Sequence, residues 1–223
     1  TITGSPTWVT GKNGLALKLS GSEQYAIVPD SNSLDATTAL TLSAWVKPEK
    51  VATQNIIKKT LGTTTANGYE LSLSNPGKVF VRLNGNSAYR IDSTTSYPID
   101  GTTWIHIAAT FDGTTIRLYI NGIQEGGDKP GVAVVANGTN LGIGAEPAGS
   151  PINLFQGAID DARVYNRALT LSEIQTLAET PLPPAAPNAP TLNAPADAST
   201  GASTSPTLNV GVSDPNGDPL TVT

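Results

Sequence analysis

The chain is predicted to be all-β, folded as an antiparallel sandwich or barrel, on three observations. The stretch WIHIAATFDGTTIRLYING (104–122) alternates with period two, setting Ile105, Ile107, Ala109 and Phe111, then Ile116, Leu118 and Ile120, on one side. That is the pattern of strands with one face on a core. Turn dipeptides recur at Asn13-Gly14, Asn67-Gly68, Asn84-Gly85, Asp100-Gly101, Asp112-Gly113, Asn121-Gly122 and Asn137-Gly138. The runs between them are long enough for strands and too short for most helices. Asn and Asp tolerate φ > 0 and Gly adopts it freely, so Asp112-Gly113 and Asn121-Gly122 are expected to close type I′ hairpins.

In chain order the expected strands are LALKL (15–19), YAIV (25–28), LTLSAWV (40–46), NIIKK (55–59), YELSLS (69–74), KVFVRL (78–83) and YRID (89–92). The two strands of the 104–122 meander follow, then VAVV (132–135), NLGIG (140–144) and GAIDDARVY (157–165). One short helix is expected. Thr170 and Glu173 stand at the spacing of a capping box, with Ile174, Leu177 and Ala178 as its apolar stripe and an end near Glu179. The first domain is therefore placed at 1–179. TPLPPAAPNAPTLNAP (180–195) is rich in Pro and Ala and reads as an extended, semi-rigid linker. TLNVGVSDPNGDPLTVT (207–223) reads as a strand, a turn and the start of another strand, which cannot bury a core alone. Residues 196–223 are thus expected to open a second β-sandwich, as part of a multidomain protein. Within them Asp214, Asn216 and Asp218 surround a Pro-Asn-Gly turn rather than an EF-hand loop, because Gly217 falls at the fourth position and not the sixth.

Composition narrows the function classes. Of 223 residues, 38% are hydrophobic and 14% charged, against roughly 25% charged in an average domain. A net charge of −5 with scattered basic residues excludes the electrostatic footprint of a nucleic-acid binder. No apolar run reaches the roughly 18 residues of a membrane-spanning helix. There is no cysteine and one histidine, so thiolate and His-rich metal sites are excluded and any Ser-His-Asp triad would run through His106. The absence of Met predicts a piece of a longer polypeptide.

Four segments in order, GLALKLSGSEQYAIVPDS, LTLSAWVKP, WIHIAATFDG…IRLYING and FQGAIDDARVYNRALTLSEI, resemble the laminin G-like family in its bacterial, concanavalin A-like jelly-roll branch. The resemblance covers about residues 8–179 and implies two antiparallel sheets with Greek-key connections. The segment 188–223 resembles the opening of a bacterial immunoglobulin-like or fibronectin type III-like domain. Family members mostly bind carbohydrates, proteins or matrix, so the resemblance implies a non-catalytic module of a secreted or surface-attached bacterial protein.

Candidate sites follow. His106 is expected to be a packed, hydrogen-bonded sheet residue, since no nucleophile elbow accompanies it. The E-x-D-x-E strand motif of glycosidases on this fold is absent, and Asp160 and Asp161 are adjacent and point to opposite faces of a strand. A hydrolase or lyase is thereby disfavoured. Relatives of the resembled family often hold a structural calcium ion between an early loop and a late acidic strand. Here Ser22 and Glu23 with Asp160 and Asp161 would supply its oxygens, although Leu19-Ser20-Gly21 stands where relatives have Phe-Asp-Gly; the alternative is a salt bridge to Arg163. For a glycan ligand, Tyr89, Arg90 and Tyr97 flank a Ser/Thr-rich loop and Asn86 lies beside them, while Trp45 and Trp104 are expected to pack inside the sheets. The expected partner is a polysaccharide. Another protein or a cell surface, met by a calcium-dependent adhesion module, and a purely architectural role within the polypeptide are the rivals.

Overall fold

The alternating runs assemble into two seven-stranded antiparallel sheets. The computed structural model describes residues 1–62, 65–148 and 151–179, together with the backbone of two strands at 191–194 and 209–211. The chain divides into two units, Thr1–Thr180 and Pro181–Thr223. The first contains β1 (Ile2–Thr3), β2 (Thr7–Thr10), β3 (Leu15–Ser20), β4 (Tyr25–Val28), β5 (Leu40–Pro48), β6 (Gln54–Lys59) and β7 (Tyr69–Ser74). It continues with β8 (Lys78–Leu83), β9 (Arg90–Ser96), β10 (Ile105–Phe111), β11 (Thr115–Ile120), β12 (Ile123–Pro130), β13 (Leu141–Ile143), β14 (Gln156–Tyr165) and helix α1 (Leu171–Ala178). Sheet I runs β1-β4-β13-β6-β7-β8-β9 and sheet II runs β12-β11-β10-β5-β14-β3-β2. Non-consecutive neighbours make this the expected jelly-roll sandwich.

Alternation explains the layering. Leu71 and Leu73, Val79 and Val81 from sheet I meet Leu42, Ala44, Ile107 and Ala109 from sheet II in one core. The opposite face of sheet II carries Ala108 and Tyr119, which α1 covers with Ile174 and the preceding Leu169. The helix starts where its capping box predicts: Thr170 Oγ1 accepts from the Glu173 N–H, and Glu173 reaches back to the Thr170 N–H. His106, on the same face, is 1% exposed and its Nε2 lies 2.9 Å from Ser43 Oγ, so the packed reading holds. Among the described residues no helix is long and apolar enough to cross a membrane.

Several expectations are corrected. Ile120 pairs with Ile123, and Asn121 (φ 49°) and Gly122 (φ 75°) form the predicted two-residue turn. At Asp112-Gly113 only the glycine is left-handed. The Asp112 carboxylate accepts the N–H groups of Thr114 and Thr115 and pairs with Arg117, which draws the connection into a longer turn. VAVV (132–135) joins neither sheet: Val134 N–H donates to Thr37 and the Val135 carbonyl accepts from Gly68, both in connections. The edge position beside β11 belongs instead to β12, whose sequence IQEGGDKP shows no alternation because both its faces are largely exposed. Tyr89 lies not in a strand but in a 3₁₀ turn (Ser87–Tyr89) ahead of β9. Thr191–Ala194, placed in the linker, pairs as β15 with β16 (Asn209–Gly211); this Pro-free stretch keeps the N–H groups that a ladder needs. The rest of the linker and of the expected second sandwich, with the Asp214–Asp218 turn, lies outside the described residues.

One side chain joins the sheets at their edge. Glu125 of β12 accepts from the N–H and hydroxyl groups of both Thr94 and Thr95 at the end of β9. Burial alone would raise its carboxyl, but these four donors outweigh it and hold the pKa down at about 2. Glu125→Ala strands two backbone donors and is expected to cost about 1–2 kcal/mol in urea unfolding, while Glu125→Gln costs less.

Candidate functional site

The four residues expected to bind a glycan share a region but not one accessible surface. Asn86 Oδ1 caps the 3₁₀ turn by accepting the Ala88 N–H at 2.9 Å. Tyr89 is half-buried and packs on the core. The Arg90 guanidinium stacks 3.8 Å above the Phe80 ring while forking onto the Asp92 carboxylate, which takes its Nε–H and one Nη–H. Tyr97 is 5% exposed, with its hydroxyl among the backbone groups of Lys50, Ala52 and Ser74. Its side chain therefore cannot serve as a stacking platform, a correction that follows from its burial.

The four oxygens proposed for calcium are not brought together either. Asp160 is buried, and its carboxylate accepts the N–H groups of Lys12 and Asn13 at 2.6 and 2.8 Å and that of Asp161 at 2.8 Å. It clamps the β2–β3 turn, where Gly11 leaves no room for a Cβ beside it. A bulge in β14 follows, with Asp161 at φ 48°, and the Asp161 carboxylate pairs with Arg163 Nε at 2.7 Å. Ser22 and Glu23 are exposed on the 20–24 loop, where Ser20 Oγ donates to the Ser22 carbonyl. Among the described residues no three His, Asp or Glu side chains gather to hold a metal ion. The donor set does not fit calcium, and the thermal midpoint of the protein is expected to be unchanged, within about 1 °C, between calcium-replete buffer and chelator; a clear fall in chelator would contradict this geometry.

A different site emerges on the outer face of sheet I. On β7, Tyr69, Leu71 and Leu73 face the core, so Glu70 and Ser72 face outward. Their registered neighbours are Lys58 on β6 and Arg82 and Phe80 on β8. Lys58 Nζ lies 2.8 Å from Glu146 and 3.5 Å from Glu70, and Arg82 pairs with Glu70. Glu146 arrives from the connection between β13 and β14, which folds back over this face. Gly142 makes that possible: a Cβ there would stand 2.3 Å from the Ala145 carbonyl oxygen. The far end of the connection is held where Asn55 N–H donates to the Asn153 carbonyl and Phe155 N–H to the Gly144 carbonyl.

Between that connection and the β1–β4 edge opens a cleft of about 370 Å³ lined by Thr3, Gly4, Glu23, Tyr25, Pro151 and Leu154. Thr3 and Tyr25 are paired across the ladder, and Tyr25 points outward because its neighbour Ala26 packs on the core. Glu23 (φ 54°) and Ser5 (φ 50°) both carry the left-handed backbone that non-glycine residues rarely adopt. The two loops interlock there. Gly4 sits so close that a Cβ would meet the Glu23 carbonyl oxygen at 2.0 Å, while the Gln24 amide bonds Ser20 N–H and the Ser5 carbonyl. Sequence reasoning reached Glu23 for another purpose and missed Tyr25 and the 151–154 wall. The available signal was that YAIV alternates, leaving one aromatic on the face opposite Ala26.

The laminin G-type model described as the concanavalin A-like lectin/glucanases superfamily matches residues 20–175. Domain 4 of AbnA, an extracellular GH43 arabinanase from Geobacillus stearothermophilus solved in complex with arabinotriose, superposes with a TM-score of 0.60 at 25% identity, covering 79% of this chain and 82% of that one. Adhesion G-protein coupled receptor V1 of Danio rerio is 27% identical over 148 residues, 63% of this chain and 2% of its own length. Usherin of Homo sapiens is 28% identical over 152 residues, 66% of this chain and 3% of its own length. The chain thus spans only a few per cent of these two relatives. With two seven-stranded sheets in jelly-roll order and a family match over well over half its length, the chain belongs to the concanavalin A-like lectin/glucanases superfamily, among its laminin G-like domains.

Proposed function

We propose that the domain is a non-catalytic carbohydrate-binding module of an extracellular multidomain protein. The Tyr25–Glu23 cleft carries this reading. It joins one half-exposed aromatic side chain, a carboxylate and a hydroxyl in a concavity at the lower end of the roughly 300–1,000 Å³ typical of ligand sites. The arabinanase domain of the same fold, in complex with arabinotriose, supports a glycan ligand. The adhesion receptor supports a binding role and keeps a protein partner as the second reading, and the extracellular arabinanase supports a place outside the cell.

The non-catalytic part rests on where the carboxylates point. The E-x-D-x-E strand motif of glycosidases on this fold is absent, and Glu70 and Glu146, which share Lys58, are 1% and 5% exposed and committed to cations. A substrate oxygen has no access to them. Calcium has no part in the reading.

A glycan array probed with the 223-residue chain tests it. Binding to at least one oligosaccharide is expected, with Tyr25→Ala weakening it at least tenfold and Tyr89→Ala leaving it within twofold. No retention of any glycan would move the assignment to a protein partner, and release of reducing ends from a bound polysaccharide would overturn the non-catalytic reading.

A further inference from the structure

Resting on the carbohydrate reading of this cleft, we infer that it selects neutral saccharides and rejects acidic ones, with Glu23 as the residue that discriminates. The only carboxylate or cation among the six lining residues is Glu23; no Lys, Arg or His is present. Recognition of a uronate or sialate carboxylate calls for Arg, Lys or clustered N–H donors. The side-chain donors lining the cleft are the neutral hydroxyls of Thr3 and Tyr25, and the neighbouring Gln24 uses its amide to accept from Ser20 N–H and donate to the Ser5 carbonyl within the loop pair. An acidic sugar would therefore bring its charge against Glu23 with no counter-ion among the described lining residues, on a chain that is already five charges negative.

A neutral sugar meets the opposite situation. A carboxylate accepts from two adjacent hydroxyls at once, and charge-assisted hydrogen bonds of this kind are about twice as strong as neutral ones. Tyr25 gives the ring face a half-exposed aromatic surface, and Thr3, registered opposite it, supplies a hydroxyl at the same wall. Pro151 and Leu154 close the other side without polar groups. Glu23 is also held in place. Its left-handed backbone is pinned by the Gly4 contact and by the Gln24 bridge, so the carboxylate is presented from a loop whose ordering has largely been completed before ligand arrives. The arrangement thus supplies acceptor and apolar surface, which polyols use, and withholds cations, which acidic sugars need.

Calorimetric titration of the full chain with arabinotriose, xylotriose and cellotriose as neutral probes, and with trigalacturonate and sialyllactose as acidic ones, tests the inference in buffer containing chelator. At least one neutral trisaccharide is expected to bind at least tenfold more tightly than either acidic probe. Glu23→Gln is expected to weaken that neutral ligand about tenfold, and Glu23→Arg to abolish it while bringing an acidic probe within tenfold of the original affinity. Circular dichroism of each variant separates lost binding from lost fold, since Glu23 is exposed and outside the core. If acidic probes bind the unaltered chain as well as neutral ones, the selectivity is wrong and the carbohydrate reading stands. If neutral probes bind but ignore both Glu23 variants, the discriminating residue is wrong. If none of the five binds and the glycan array is also blank, the carbohydrate reading itself fails.

Discussion

Glu70→Ala is expected to destabilise the first domain by about 3–5 kcal/mol, the range for removing one partner of a buried ion pair. Lys58 and Glu70 are each 1% exposed and Arg82 9%, so none can recover its solvation by a small movement. Lys58 retains Glu146 at 2.8 Å when Glu70 is truncated. Arg82 retains no carboxylate among the described residues and keeps only its place 5.6 Å from the Phe80 ring. The cost is therefore that of an uncompensated guanidinium on a covered sheet face. At roughly 2–4 °C per kcal/mol for a domain of this size, the thermal midpoint should fall by about 6–20 °C. Two further variants separate charge from packing. Glu70→Gln keeps shape and an acceptor and should cost less than the alanine. Replacing Lys58, Glu70 and Arg82 together with Met or Leu removes every orphan and should return most of the loss, as buried ion networks on other folds have done. A loss below about 1 kcal/mol for Glu70→Ala would mean that water reaches Arg82 and that the outer face is open.

What could be read in the residues depends on whether one face of a segment is apolar. The strands of the core, from LALKL to GAIDDARVY, alternate because one face meets the other sheet, and each was located to within a few residues. β12 was invisible because Glu125 is its one buried residue and its flanks, including Gly126 and Gly127, obey the turn of the edge rather than a core. VAVV has the composition of a strand, but its donors are taken singly by Thr37 and Asn84 in connections. At the site, the local part was legible and the long-range part was not. The 20–24 loop stood out by its polar residues, yet the cleft needs the 151–154 wall, which exists because Gly142 admits the chain over sheet I. Nothing in NLGIG distinguishes that glycine from one in any short strand. Tyr97 shows the converse error: polar neighbours suggest a platform, and the hydroxyl instead sits between two backbone segments inside the fold, at Lys50 and Ala52 and at Ser74. Asp160 and Asp161 were expected to point apart. The bulge between Asp160 and Arg163 gives each its own partner, a turn for one and an arginine for the other.

Acidification from pH 7.5 to 5 is expected to remove about 2 kcal/mol of stability through His106 alone. Burial lowers its pKa from 6.5 to about 4; nearby Asp161 opposes that shift and Arg163 adds to it. The geometry gives the same direction. Nε2 is shared with Ser43 Oγ, the Trp45 ring stands edge-on at 5.3 Å, and Nδ1 is buried with no hydrogen-bond partner among the described residues. An imidazolium carries N–H on both nitrogens, so protonation would bury a charged donor without an acceptor. The sign then follows. With the folded pKa below the unfolded one, the unfolded chain binds more protons between pH 6.5 and 4, so stability is complete above 6.5 and drains as pH falls through that window. Glu125, held at about 2, behaves likewise but loses its contribution only below the ordinary carboxylate range, near 4.5 and under, so the interval above pH 5 belongs to the chain's one histidine. Urea midpoints measured every half unit from pH 5 to 8 should slope for the unaltered chain and flatten for His106→Gln, whose amide still reaches Ser43 but takes up no proton. Parallel curves for the two proteins would place the titration elsewhere and deny that His106 is held neutral by its burial.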